Sequence, residues 1–280
     1  MKASLIILLA GVLIGISCSG PPTRPTPVGV PAPPVMVPLL EDVGTVAKTP
    51  EVRVAADPRP ELPRHPLKVR KNSYNGIDLT AVTFDRRDYS LRVVDQKGGP
   101  GSQYDDAEEA AEGAPAAING GFFGPDGEPV GLVITGGERR GYFNSSSYLG
   151  TGILDGEAVT LSTRKSKRRS SELLQSGPRL VWQGETLTGL SSNNPRPRSF
   201  LIWDGAEHFG LAYANSASLK GLSTALENQA IPGFPIRYAL NLDGGTSCDL
   251  WVSGSVPGGG FSKSSFFRKK ARNYLVLSHR

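Results

Sequence analysis

Histidine is scarce in this 280-residue chain, where only His65, His208 and His279 occur. His65 lies in a proline-rich stretch and His279 is next to last, so a Ser-His-Asp arrangement has one plausible base, His208. A histidine-rich zinc site is equally poorly supplied. Ser247 does not stand in a G-x-S-x-G elbow, because Asp249 occupies the second glycine's place, and this argues against serine-hydrolase chemistry. Cysteine is scarcer still. Cys248 has no partner base and reads as an inert buried thiol, and if Cys18 is lipidated no intramolecular disulfide forms. The formal net charge of +5 is modest. Much of it sits in two clusters, Arg164–Arg169 and Arg268–Lys270, which read as solvated loops. Neither has interleaved aromatics, so no nucleic-acid partner is expected; contact with anionic lipid or cell-wall polymer is the residual reading.

One long apolar run is present, from Leu5 to Ile14 behind a single Lys2. It is too short for a permanent membrane span and reads as the core of a signal peptide over residues 1–18. Its end, Gly15-Ile16-Ser17-Cys18, resembles a bacterial lipobox and makes Cys18 the candidate for lipidation and membrane anchoring. Residues 19–66 are crowded with proline and lack apolar periodicity, the pattern of an extended disordered tether. An exported protein, membrane-anchored or periplasmic to extracellular, is the expectation. Residues 67–280 have the length and apolar content of a single globular domain.

Strand patterns dominate that domain. Ile77, Leu79 and Ala81 alternate with polar neighbours, as do Tyr89, Leu91 and Val93 after Asp85–Asp88, predicting two half-buried strands joined by a short turn. Asp155-Gly156 and Asp204-Gly205 each separate apolar runs, the signature of hairpins with type I′ turns. One helix is expected from Ser102 to Gly113, with carboxylates in its first turns, and a second over Ser218–Gln229, with Leu219, Leu222 and Leu226 on one face. The fold class is therefore α+β, a mainly antiparallel sheet with a few helices.

Two glycine segments follow buried strand patterns: Asn119-Gly120-Gly121-Phe122-Phe123 and Asp243-Gly244-Gly245-Thr246-Ser247. Paired glycines after a strand let backbone N–H groups approach a ligand, so the two segments read as walls of one site, with tight turns as the plain alternative. Asp243 is the candidate acid, base or metal ligand, or else simply caps its own Gly-Gly turn. Arg198, ahead of the Phe200–Trp203 strand, suits bidentate capture of phosphate or carboxylate, and Arg179 supplies a further basic turn residue. Carboxylate, guanidinium and glycine amides together suit an anionic substrate.

Taken in order, Asn119-Gly-Gly-Phe-Phe, Gly131-Leu-Val-Ile, Ser176-Gly-Pro-Arg-Leu-Val, Arg196-Pro-Arg198-Ser and Asn241-Leu-Asp-Gly-Gly-Thr-Ser resemble the phosphodiester glycosidase family from about Ile77 onward. The resemblance implies hydrolysis of a bond between a sugar's anomeric carbon and phosphate, in an envelope or exopolysaccharide setting. It implies Asp243, Arg198 and Asn119 as catalytic residues, and Gly120, Gly121, Gly244, Gly245, Thr246, Ser247 and Arg179 as substrate-binding residues. The family often continues Gly-Gly-Gly-Ser-Ser, where this chain has Gly-Gly-Thr246-Ser247-Cys248. No cofactor is required by these motifs, which leave room for a divalent cation. The expected partner is a sugar phosphate or anionic glycan. A non-catalytic module for anionic glycans and a phosphodiesterase that leaves phosphate on the sugar stand as alternatives.

Overall fold

The computed structural model describes residues 66–163 and 170–280. The leader, Cys18, the proline-rich segment up to His65 and the Arg164–Arg169 cluster lie outside the described residues.

The strand patterns build three antiparallel sheets. The first runs β1 (Lys68–Tyr74), β2 (Ile77–Asp85), β13 (His208–Ala217), β12 (Arg196–Trp203), β14 (Tyr238–Asn241), β10 (Arg179–Trp182), β11 (Glu185–Thr186). The second runs β16 (Phe261–Ser264), β15 (Asp249–Val252), β4 (Ala116–Asn119), β17 (Asn273–His279), β3 (Tyr89–Asp95). The third runs β6 (Glu138–Arg140), β5 (Val133–Thr135), β9 (Leu173–Ser176), β7 (Gly152–Asp155), β8 (Thr160–Ser162). With two helices among the described residues, the fold is α+β and mainly antiparallel.

Each sheet gives one face to a shared core. Phe84, Leu201, Phe209 and Leu240 come from the first, Ile118, Leu250 and Leu275 from the second, and Val133, Leu154 and Leu174 from the third. The alternate positions of the first sheet, among them Ala81, Phe200, Ile202 and Ala212, pack under α2 (Leu219–Glu227). This helix starts where the sequence predicts, with the Ser218 side chain accepting from Gly221 N. Because α2 covers the outer face, β2 is buried on both faces from Leu79 onward rather than half-buried.

The Ile77 and Tyr89 strands are joined by a short turn, in which the fully buried Asp85 accepts from Arg87 N at 2.9 Å, and they enter different sheets. Two local expectations need correction. The first helix, α1 (Ala107–Ala111), starts not at Ser102 but after Asp106, whose carboxylate accepts from Glu109 N at 2.9 Å. The Asp-Gly hairpins both form, but across longer loops than type I′ turns. At Asp155 the positive φ falls on Val159, and Asp155 Oδ1 accepts from Ala158 N at 3.0 Å. At Asp204, Oδ1 accepts from Ala206 N at 2.7 Å. In both the aspartate side chain, rather than two positive φ values, closes the turn.

Gly156 joins the second and third sheets: it accepts from Leu91 N and donates to Glu172 O, both at 2.8 Å. A Cβ there would stand 2.1 Å from the Leu91 carbonyl oxygen, which is ladder backbone and cannot swing aside. Gly156→Ala is expected to lower stability by about 1–3 kcal/mol, read as a fall in the denaturant midpoint at constant m-value. An unchanged midpoint would mean that the junction yields.

Candidate active site

The two glycine segments meet where the first and second sheets converge. Asp243 N donates to Gly120 O at 3.0 Å, and Asn119 Nδ2 donates to Asp243 O at 2.9 Å. Asn119 Oδ1 accepts from Ser199 Oγ at 2.5 Å and from Asp249 N at 3.0 Å. Its carboxamide is fully buried and turned inward, so it fastens the site rather than facing a ligand.

The amides of the first glycine pair are also committed. Gly120 N donates to Asn273 O at 2.8 Å and Gly121 N to Asn273 Oδ1 at 2.7 Å. A Cβ at Gly120 would sit 2.1 Å from that same Oδ1, so the glycine is required by the close approach of Asn273 and not by a ligand. Asn273, the first residue of β17, is a positioning residue that sequence reading misses; a lone asparagine at the head of an apolar strand carries no signal.

The second glycine pair is arranged differently. The half-buried Asp243 carboxylate accepts from Gly244 N at 2.8 Å and from the Ser247 hydroxyl. It thus caps its own turn while keeping a face toward solvent. Burial pushes its pKa up; Ser247, Gly244 and the nearby Arg196 pull it back in part. Gly245, at φ +65°, turns the chain into a 3₁₀ turn, Gly245–Ser247. The N–H groups of Gly245 and Thr246 take no hydrogen bond among the described residues. Cys248 forms the rear wall as a buried thiol pushed up to about 12 by desolvation, far from a reactive thiolate.

Arg198 is buried in β12 with Nε donating to Ala217 O at 3.0 Å and Nη2 to Asn194 O at 3.5 Å. Nη1 takes no partner among the described residues and lies 3.6 Å from where a Cβ of Gly244 would stand. Burial lowers its pKa, yet a guanidinium stays protonated. A register shift between Arg196 and Arg198 leaves the exposed Arg196 alongside the same turn, with Nη1 3.9 Å from a Gly245 Cβ position. Arg196 is the second residue the sequence reading passes over as a site residue, because strand alternation does not carry across that register shift.

Arg179 lies on β10 beside the strand that leads to Asp243, pairing with Leu240, and Asn241 N donates to the neighbouring Pro178 O at 3.1 Å. Its guanidinium lies over the Trp182 ring at 4.9 Å with Nε buried and unpartnered. Among the described residues no group of three or more His, Cys, Asp or Glu side chains gathers that could hold a metal ion.

The ordered motifs and this antiparallel architecture are those of a phosphodiester glycosidase. Residues 112–277 match the sequence profile of that family, more than half the chain, and the chain belongs to it. Among solved structures, it is similar to the zebrafish N-acetylglucosamine-1-phosphodiester alpha-N-acetylglucosaminidase catalytic domain, auto-inhibited by its pro-peptide. The identity is 17%, over 76% of this chain and 82% of that one, with a TM-score of 0.52. A hypothetical protein from Synechocystis is similar at 16% identity and a TM-score of 0.52, over 76% of this chain and 61% of that one. At these identities the likeness establishes the fold. No curated protein matches the chain.

Asp243 carries a testable cost. Its folded pKa lies above its unfolded one, so the stability linked to its protonated form is complete below the ordinary carboxylate range and is lost as pH rises through the raised value. Asp243→Asn cannot ionise and is expected to gain on wild type as pH moves from mild acid toward neutrality, measured as denaturant midpoints across a pH series. Parallel curves would mean that the carboxylate is not desolvated.

Proposed function

We propose that this protein hydrolyses the bond between a sugar's anomeric carbon and a phosphodiester phosphate, releasing free sugar and the phosphorylated remainder. Membership of the family supports glycosidase-type hydrolysis. One observation carries the reading in this chain: a desolvated carboxylate, Asp243, shares a single turn with open donors from Arg198 Nη1, Gly245 N and Thr246 N. Donors of that kind offset charge developing on a departing phosphate, and do so best where water is partly excluded.

In this reading Arg198, Arg196 and the two open amides hold the phosphate. Water attacks the anomeric carbon, the carbon–oxygen bond breaks with its electron pair going to phosphate, and Asp243 takes the water's proton. Phosphate leaves well without a strong general acid, so one carboxylate suffices where ordinary glycoside hydrolysis uses two. The Leu5–Ile14 run ahead of Cys18 supports an exported, lipid-anchored enzyme acting on an envelope or exopolysaccharide glycan.

The direct test is product analysis after incubating the full chain in detergent with sugar-1-phosphodiesters, UDP-N-acetylglucosamine among them. Wild type is expected to release free sugar, with turnover reduced about 10²–10⁴-fold in Asp243→Asn and about 10²-fold or more in Arg198→Gln. Sugar phosphate as product would make it a phosphodiesterase, and saturable binding without turnover would make it a glycan-binding module.

A second prediction concerns pH. Because burial raises the Asp243 pKa, the acid limb of kcat/KM should lie above the ordinary carboxylate range. Arg196→Gln removes a cation that lowers this pKa and should move the limb higher still. A limb unmoved by Arg196→Gln would assign it to another group.

A further inference from the structure

The loop between β16 and β17 carries Phe266, the most exposed large hydrophobic side chain among the described residues, next to Phe267. Phe266 and Phe267 are 93% and 76% exposed, and their rings pack edge to face at 4.9 Å with an interplanar angle of 88°. An isolated exposed apolar residue needs no explanation, but two adjacent phenylalanines held out at one point do.

They are held at a defined place. Ser265 N donates to Cys248 O at 3.3 Å and Lys269 N to Thr246 O at 2.8 Å, which stitches both sides of the loop to the candidate turn. The Arg268 guanidinium lies 2.9 Å from the buried Asp249 carboxylate and 3.3 Å from Asp106, and Lys270 Nζ lies 2.7 Å from Asp105. With its base fixed by these bonds, the tip presents two rings to whatever lies outside.

Along this part of the chain the charged residues have one sign. From Leu250 to Arg280 the chain holds no aspartate or glutamate. Arg268 and Lys270 are neutralised by the aspartates just named, whereas Lys263 and Lys269, on either side of the aromatic pair, have no ion pair among the described residues. Bare aromatic rings flanked by unneutralised lysines match the two attractions of a bilayer surface: apolar burial below the headgroups and cationic contact with anionic lipid.

We propose that the Phe266–Phe267 tip, with Lys263 and Lys269, is an interfacial anchor that docks this domain on an anionic lipid bilayer, with the Gly245–Ser247 turn near the surface. The proposal stands apart from the hydrolytic reading and survives its failure.

The test is hydrogen exchange read locally over residues 261–272, with the full chain reconstituted in vesicles of phosphatidylcholine alone or mixed with phosphatidylglycerol. A local readout is chosen so that membrane attachment elsewhere in the chain does not answer for the loop. Exchange at 265–269 is expected to slow severalfold on the anionic vesicles, and Phe266→Ser with Phe267→Ser should abolish that slowing. As a second measurement, Phe267→Trp should give emission that shifts to the blue and is quenched by headgroup-proximal spin-labelled lipid. Exchange equal with and without vesicles would overturn the proposal, as would equal slowing on both lipid compositions. Slowing without lipid that grows with protein concentration would assign the tip to a second copy of the chain instead.

Discussion

The carboxamide of Asn119 is the fastening on which the candidate site depends. It comes from the second sheet, receives Ser199 of the first, holds the Asp249 backbone of its own sheet, and donates to the carbonyl of Asp243. Fully buried, it cannot trade these partners for water, so each bond lost would leave an unpaired polar group in the core. Asn273 performs the matching task one strand away, gripping Gly120 and Gly121. Two asparagines thus set the position of a carboxylate that neither touches through its side-chain oxygens.

This division of labour separates the two glycine pairs, which look alike as sequence. The first is a packing device, its amides bonded to Asn273. The second is committed only at Gly244, whose amide meets Asp243, while those of Gly245, at positive φ, and Thr246 make no hydrogen bond among the described residues. The threonine that departs from the family's third glycine falls where the chain offers its backbone N–H, and its carbonyl is already committed to Lys269. A threonine side chain leaves that amide in place.

Much of this was legible beforehand. Alternation marks β2 and β3, the apolar runs around Asp155-Gly156 and Asp204-Gly205 mark β7, β8, β12 and β13, Ser218 marks the start of α2, and the two glycine segments read as walls of one site. What was not legible belongs to tertiary context. Nothing in Asp85–Asp88 distinguishes a hairpin from a passage between sheets, because the deciding contact, Asp85 closing on Arg87 in a fully buried place, depends on what packs around it. Ser102 and Asp106 are both good helix caps, and the choice goes to Asp106, beside which Ala107 N reaches Asp249 across the sheet.

The place of β17 in its sheet has a consequence for how the protein comes into being. This strand, the last among the described residues, lies between β4 and β3 rather than at an edge. A chain emerging from its amino end therefore waits with a gap in that sheet, β3 and β4 each lacking a neighbour, until β17 arrives to close it. Asn273, the first residue of that strand, is also what grips the Gly120–Gly121 loop. The candidate site therefore cannot assemble before β17 has been synthesised, and until then β3 and β4 leave unpaired edges open to chaperones and proteases.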